Sequence, residues 1–216
     1  MPDAHGHCFY FGTFNPIHTG HLIIAQSALS QFGCVLGFER VTFMPAGNPP
    51  HRHHENDLLD AALRLKMVRL ATAHNPAFAV SNFECSLPHK SYTVETLSSM
   101  AQASLITLPA PFIIGSDALA NLSEWHQPAT LIDQVHFLQA PRPGHGWVNH
   151  VFIDGQKRPL NTSRIEMPLS GISATHIRHM LGQSPQKAEA LRYFLPEPVR
   201  HFIHWNQLYA TSKNLP

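Results

Sequence analysis

Cys8-Phe9-Tyr10-Phe11-Gly12-Thr13-Phe14-Asn15-Pro16-Ile17-His18-Thr19-Gly20-His21 runs directly into Leu22-Ile23-Ile24-Ala25. A short apolar run, a turn containing glycine and proline, and an apolar stretch with helical spacing predict strand, turn and helix in that order. The turn suits an anion. Gly12 lets a phosphate approach the backbone, Thr13 offers a hydroxyl, and either Asn15 or Thr19 can cap the helix, whose unpaired N–H groups then point at the ligand. His18 and His21 stand three apart at the helix start, so both rings can face one place and donate to phosphate oxygens whose charge grows in a transition state. Two histidines that merely cap a helix are the plain alternative, and a zinc site from the same pair lacks a third ligand nearby.

Working outward, short apolar or β-branched runs recur at Cys8 to Phe11, Val41 to Met44, Phe78 to Val80, Phe112 to Ile114, Val135 to Leu138 and Arg164 to Met167. Between them lie helical patterns at Leu22 to Phe32, Leu58 to Ala73, Val94 to Ala103, Ala118 to Leu122, Thr130 to Gln134 and Ile177 to Leu181. This alternation predicts an α/β fold, a doubly wound, Rossmann-like and mostly parallel sheet with helices on both faces. Ligands then sit beyond the carboxyl ends of the strands where the winding reverses, which directs attention to the loops after the first and fourth strands. Pro196 to Tyr209 reads as a docked C-terminal helix, core rather than site.

The chain has 216 residues, which fits one domain, 1–216, with a C-terminal helical part at about 173–210. Hydrophobic residues make up 44% and charged residues 13%, and the formal net charge is +1, which excludes a disordered chain and argues against nucleic acid or a membrane surface as partner. Phosphate chemistry must therefore be local. No leader and no membrane-spanning run stands out, so a cytoplasmic setting is expected. Cys8, Cys34 and Cys85 are odd in number and far apart, which fits buried thiols rather than a disulfide framework or zinc ribbon. The 17 histidines select no function by their number.

At the far end, Ile172-Ser173-Ala174-Thr175-His176-Ile177-Arg178 offers Ser173 as a helix cap, free amides behind it and a guanidinium fork at Arg178 for phosphate oxygens. Alone, this is an ordinary capped helix more often than not. His51-Arg52-His53-His54 allows an adventitious metal, a solvated loop, or phosphate binding by His51 or Arg52. Trp125 taken alone could equally be a core aromatic.

The His-x-Gly-His string after a Gly-Thr-Phe-Asn-Pro turn resembles the phosphate-binding motif of the nucleotidyltransferase superfamily, and Ile172 to Arg178 resembles its second signature. Asn48 to Arg52, Arg64-Leu65-Lys66-Met67, Glu84 with Ser91-Tyr92-Thr93 and Thr96-Leu97, Phe112 to Leu119 with Trp125, Pro141-Arg142-Pro143-Gly144 and Tyr193 to Pro196 narrow the likeness to bacterial-type nicotinate-nucleotide adenylyltransferases. The resemblance implies adenylyl transfer from ATP to nicotinate mononucleotide, giving nicotinate adenine dinucleotide and pyrophosphate, with Mg²⁺ carried on ATP and no metal held by the protein. It implies ATP contacts from Gly12, Thr13, Phe14, His18 and His21 at one end and from Ile172, Ser173, Thr175 and Arg178 at the other, with His18, His21 and Arg178 catalytic. Gly115 and Asp117 would serve adenosine, Asp117 at its ribose. Asn48, His51 and Arg52 would take the mononucleotide phosphate, Ser91, Tyr92 and Thr93 the nicotinate carboxylate, and Trp125 the pyridine ring. Two positions depart from the family pattern: Phe11 where a second glycine is usual, and Asn15 where Asp is common. Asn15 resembles relatives that accept the amide substrate. An adenylyltransferase for nicotinamide mononucleotide or pantetheine phosphate, and a nucleotide-binding module without turnover, are the rival expectations.

Overall fold

The computed structural model describes residues 6–49, 57–183 and 189–210. Six strands form one sheet: β1 (His7–Gly12), β2 (Arg40–Pro45), β3 (Phe78–Val80), β4 (Ala110–Gly115), β5 (Val135–Ala140) and β8 (Thr162–Arg164). Their order across the sheet is β3-β2-β1-β4-β5-β8, and each neighbouring pair is parallel. Chain order reverses direction between β1 and β4, so the switch point falls at the carboxyl ends of those two strands. The loops after the first and fourth strands are thus neighbours in space.

Side chains alternate across the pleat and feed two cores. From β1, Cys8 and Tyr10 enter one cluster and Phe9 the other; from β4, Ile113 joins the first while Phe112 and Ile114 join the second. Burial on both faces is why these strands read as unbroken apolar runs. Helices α1 (Thr19–Leu36), α2 (Ala61–Thr72), α6 (Ala174–Gln183) and α7 (Glu197–Trp205) contribute to the first cluster, through residues such as Ile24, Met67, Ile177 and Val199. Helices α3 (Thr93–Gln102), α4 (Ser116–Ala120) and α5 (Pro128–Gln134) cover the opposite face with Leu97, Leu119 and Leu131. Among the described residues no helix is long and apolar enough to cross a membrane.

Three sequence expectations shift. The last sheet strand is Thr162–Arg164 rather than Arg164 to Met167; Ile165 follows it, its N–H bound to the Gln139 carbonyl. A separate antiparallel pair, β6 (His150–Ile153) and β7 (Gln156–Pro159), was not expected. Its signal was present: Asp154-Gly155 lies between the two runs, and both residues have positive φ, 50° and 76°, as a two-residue hairpin turn requires. Helix α2 begins at Ala61, not Leu58, because the Leu59 N–H is drawn to Asn15 Oδ1 and the Leu59 carbonyl to Arg64.

Arg64 is the largest side chain buried almost completely, at 1% exposure. It projects from the first turn of α2 beneath the switch point and donates to three loop carbonyls, Thr13 at 2.8 Å, Gly47 at 2.9 Å and Leu59 at 2.9 Å. One guanidinium therefore ties together the loops after β1 and β2 and the lead-in to α2. Arg64→Met keeps the length but strands those carbonyls, so we expect it to destabilise the protein by about 3 kcal/mol or more in urea unfolding. A loss below about 1 kcal/mol would show that water replaces the guanidinium freely.

Candidate active site

Two cavities, about 640 Å³ and about 460 Å³, open at the switch point and share Thr13, Phe14, His21, Asp117 and Arg142 on their walls. The larger runs past Phe11, Phe112 and Gly115 to Tyr92, Thr93 and Trp125. The smaller is closed by His18 on one side and by Ser170 to Thr175 on the other. Both volumes suit a nucleotide-sized ligand.

The turn after β1 is held from behind. Gly12 accepts a hydrogen bond from the Ala46 N–H, and a Cβ at Gly12 would stand 3.0 Å from the Phe14 ring. Gly12 is thus needed for the fold of the turn itself, beyond any approach of a ligand. Phe14 is buried with φ +49°, an uncommon setting for a side-chain-bearing residue. The helix cap is neither Asn15 nor Thr19, as expected from sequence, but His18. The Thr19 hydroxyl instead donates to the Tyr193 and Phe194 carbonyls.

His18 and His21 stack with ring centroids 3.7 Å apart. The His18 N–H donates to His21 Nδ1 at 3.2 Å, which leaves the His21 proton on Nε2 as a donor. His18 is 1% exposed and its Nδ1 has no hydrogen-bond partner among the described residues. Burial, helped by the Arg142 cation, lowers the His18 pKa from 6.5 to about 3. Burial, then the neighbouring His18 and Arg142, lowers His21 as well. The two rings are therefore neutral donors in the free protein, and among the described residues on the cavity walls Arg142 is the one lysine or arginine. Arg142 follows β5, its N–H anchored to Ser116 Oγ at 3.0 Å. Its Nε is buried without a hydrogen bond and lies 3.8 Å from Asp117 Oδ1. Gly115 makes room here, since a Cβ would fall 2.3 Å from Asp117 Oδ1 and 3.3 Å from Arg142 Nε.

At the second signature, Ser173 caps α6 as expected, its Oγ accepting from the His176 N–H at 3.2 Å, and Ile172, Ser173 and Thr175 line the smaller cavity. Arg178, expected at the phosphates, has protein partners in the free protein. Its Nε is paired with the Asp57 carboxylate and its Nη1 donates to the Asn15 carbonyl at 2.9 Å, while the side chain is 8% exposed and on the wall of neither cavity.

In the larger cavity the Ser91 hydroxyl is already used, donating to Glu84 Oε2 at 2.9 Å, while Thr96 donates to Glu84 Oε1 at 2.8 Å. The donors left for a ligand are the first N–H groups of α3, whose N-cap Tyr92 provides no side-chain cap, and the Thr93 hydroxyl. Tyr92 lies against His126 with ring centroids 4.2 Å apart and planes tilted by 32°, and Trp125 lines the same cavity. Phe11 is stacked on Phe112 at 5.3 Å, a wall rather than an intruder. Asn15 is 2% exposed and lines the smaller cavity, and its side-chain amide is bound to Asp57, Leu59 and Tyr209. Asn48 lies in the loop after β2, off both cavity walls, and His51 and Arg52 lie outside the described residues.

Arg142, Glu84 and Arg64 are the residues that sequence reasoning gave no role. A signal existed for Arg142: a basic residue between two prolines directly after a sheet strand next to the switch point. Glu84 and Arg64 stood in blocks that carry the resemblance, but with Ser81, Asn82 and Ser86 beside the one and Lys66 beside the other nothing local set their charges apart.

The lowered histidine pKa values bear on stability. Below about pH 6.5 the unfolded chain takes up protons at these positions that the folded protein refuses, so their contribution is complete above 6.5 and is lost progressively towards about pH 3. His18→Asn should therefore cost less stability at about pH 5 than at about pH 7.5. A difference in urea unfolding that stays constant over that range would contradict neutral, buried rings.

Residues 9–180 match the cytidylyltransferase-like family model. A relative in Synechococcus sp. (strain JA-3-3Ab), named as a probable nicotinate-nucleotide adenylyltransferase, is 39% identical over 199 residues, covering 92% of this chain and 91% of the relative. One of the same name in Serratia proteamaculans is 35% identical over 218 residues and covers 94% of both chains. In fold, the chain is similar to the Plasmodium falciparum nicotinic acid mononucleotide adenylyltransferase, solved in complex with NaAD, with a TM-score of 0.71 at 15% identity over 94% of this chain and 96% of that one. With the phosphate turn, the stacked histidines and the capped second signature at the switch point of a parallel sheet, the chain belongs to the cytidylyltransferase-like superfamily and, within it, to the nicotinate-nucleotide adenylyltransferase family.

Proposed function

We infer that this protein transfers the adenylyl group of MgATP to nicotinate mononucleotide, releasing pyrophosphate and nicotinate adenine dinucleotide. The observation that carries this reading is the meeting of the two cavities at Thr13, His21, Asp117 and Arg142. The smaller cavity, with its histidines and the N-terminus of α6, suits a triphosphate; the larger, with Tyr92, Trp125 and the N-terminus of α3, suits a pyridine nucleotide. The α-phosphorus would lie where they join.

A phosphate oxygen of the mononucleotide attacks the α-phosphorus, the bond to the β-phosphate oxygen breaks, and pyrophosphate leaves with that electron pair. No covalent enzyme intermediate is needed, so the protein contributes positioning and charge stabilisation. Arg142 would bind the non-bridging α-oxygens, and His21 Nε2–H would donate to the α–β region. His18 Nδ1 is a further polar atom that a ligand or its water can satisfy. The amides behind Ser173 take the terminal phosphates, Asp117 the adenosine ribose. Magnesium enters with the triphosphate as part of the substrate; among the described residues no group of three His, Cys, Asp or Glu converges to hold it.

Acid is favoured over amide through the N–H groups that open α3, on a wall that also carries Glu84 and Glu124. A nicotinate carboxylate satisfies those N–H groups with either oxygen, whereas a nicotinamide turns an NH₂ towards donors or gives up one contact. We expect kcat/KM for nicotinate mononucleotide to exceed that for nicotinamide mononucleotide by ~10²-fold, read as pyrophosphate release with both acceptors side by side. Equal values would remove the acid preference and leave adenylyl transfer standing; no release with either would remove the reaction. For the chemical step, His21→Ala and Arg142→Gln should each lower kcat by ~10²-fold or more, as loss of a transition-state donor does. Near-normal turnover in either would take that residue out of the mechanism.

A further inference from the structure

The C-terminal segment, read from sequence as core alone, delivers a buried hydroxyl to the phosphate turn. Tyr209 lies beyond α7, and its hydroxyl donates to Asn15 Oδ1 at 2.8 Å across 194 residues of chain. Asn15 is saturated. Its Oδ1 also accepts from the Leu59 N–H at 3.3 Å, its Nδ2 donates to the Asp57 carbonyl at 2.9 Å, and its own carbonyl accepts from Arg178 Nη1 at 2.9 Å. Two donors on one oxygen and one acceptor on the nitrogen are a set that an amide meets and a carboxylate cannot, which accounts for Asn at this position.

The residue before it shows why the grip matters. Phe14 keeps φ +49°, a conformation that persists only where both sides of the turn are fixed. On one side the Thr13 carbonyl is held by Arg64 at 2.8 Å. The peptide between Thr13 and Phe14 is trans, so with its carbonyl turned to Arg64 its N–H points the opposite way. Thr13 and Phe14 line both cavities. On the other side the fixing is done at Asn15, and one of its four partners comes from the last described turn of the chain.

We propose that Tyr209 is a positioning residue for adenylyl transfer: its hydroxyl fixes Asn15, and through Asn15 the backbone donor that the turn offers to the phosphates of ATP. The proposal rests on the reaction inferred above. It makes the C-terminal segment part of the nucleotide site without touching a ligand.

Tyr209→Phe removes one hydroxyl and keeps the ring against the apolar neighbours of the first core. The expected result is a ~10-fold fall in kcat/KM for ATP, with KM for nicotinate mononucleotide within about 2-fold of wild type and a melting temperature lower by no more than a few degrees. In a double-mutant cycle, Asn15→Ala with Tyr209→Phe should be no slower than Asn15→Ala alone, because the hydroxyl acts only through the amide. Unchanged kcat/KM for ATP in Tyr209→Phe overturns the proposal. So does a loss that multiplies fully with that of Asn15→Ala, or an equal rise in both KM values with a marked fall in melting temperature. If the wild-type protein releases no pyrophosphate with nicotinate mononucleotide, the reaction is what fails; calorimetric titration with MgATP then decides the latch, weaker binding by Tyr209→Phe upholding it and equal binding overturning it.

Discussion

In the proposed reaction the turn after β1 offers its N–H groups to phosphate, so its carbonyls have to go elsewhere, and two buried guanidiniums take them. Arg64 holds the Thr13 carbonyl and Arg178 the Asn15 carbonyl. Both arginines come from helices, α2 and α6, that pack on the same face of the sheet, so the turn is clamped between them. A guanidinium suits this work because it is charged throughout the physiological range and spreads its donors in a plane, so one side chain reaches several carbonyls. Arg64 also gathers Gly47 and Leu59, and Arg178 also pairs with Asp57. The site is assembled from loops, and these two side chains make the loops into one body.

That arrangement divides the charged groups by task. With a formal net charge of +1, the chain has no general excess of positive charge to draw anions. Arg64 and Arg178 are committed to carbonyls, His18 and His21 are kept neutral by burial, and Arg142 is left beside the cavities with a buried Nε that has no hydrogen-bond partner among the described residues. Among the described residues, Arg142 beside neutral donors, with Asp117 3.8 Å away, favours charge that develops at one point over charge already spread along a triphosphate.

Much of this was legible in the sequence, and the boundary is physical. The strand, turn and helix at Cys8 to Ala25, the parallel sheet and the cap at Ser173 follow from local periodicity and local hydrogen bonding, which neighbouring residues carry between them. The switch point followed from the same alternation. What could not be read is which distant group a charged side chain meets. Arg178 in a capped helix looks alike whether it faces a phosphate or the Asn15 carbonyl, 163 residues away. The Ser91 hydroxyl is engaged by Glu84, seven residues away, and the Asn15 side chain by Tyr209, Leu59 and Asp57, none of which the local sequence announces. The β6–β7 hairpin is a different case, for its Asp-Gly turn was in plain view and carried too few strand-forming residues beside it to stand out.

The central claim is that the donors of the phosphate turn are in place before nucleotide binds, held there by arginines that do not themselves meet the phosphates. A crystal structure of the protein with a non-hydrolysable ATP analogue and magnesium tests this most directly. The account predicts Arg178 still on the Asn15 carbonyl and Asp57, Arg64 still on the Thr13 carbonyl, and Arg142 with His21 at the α-phosphate. Arg178 released from Asn15 and bound to the β- or γ-phosphate would contradict it.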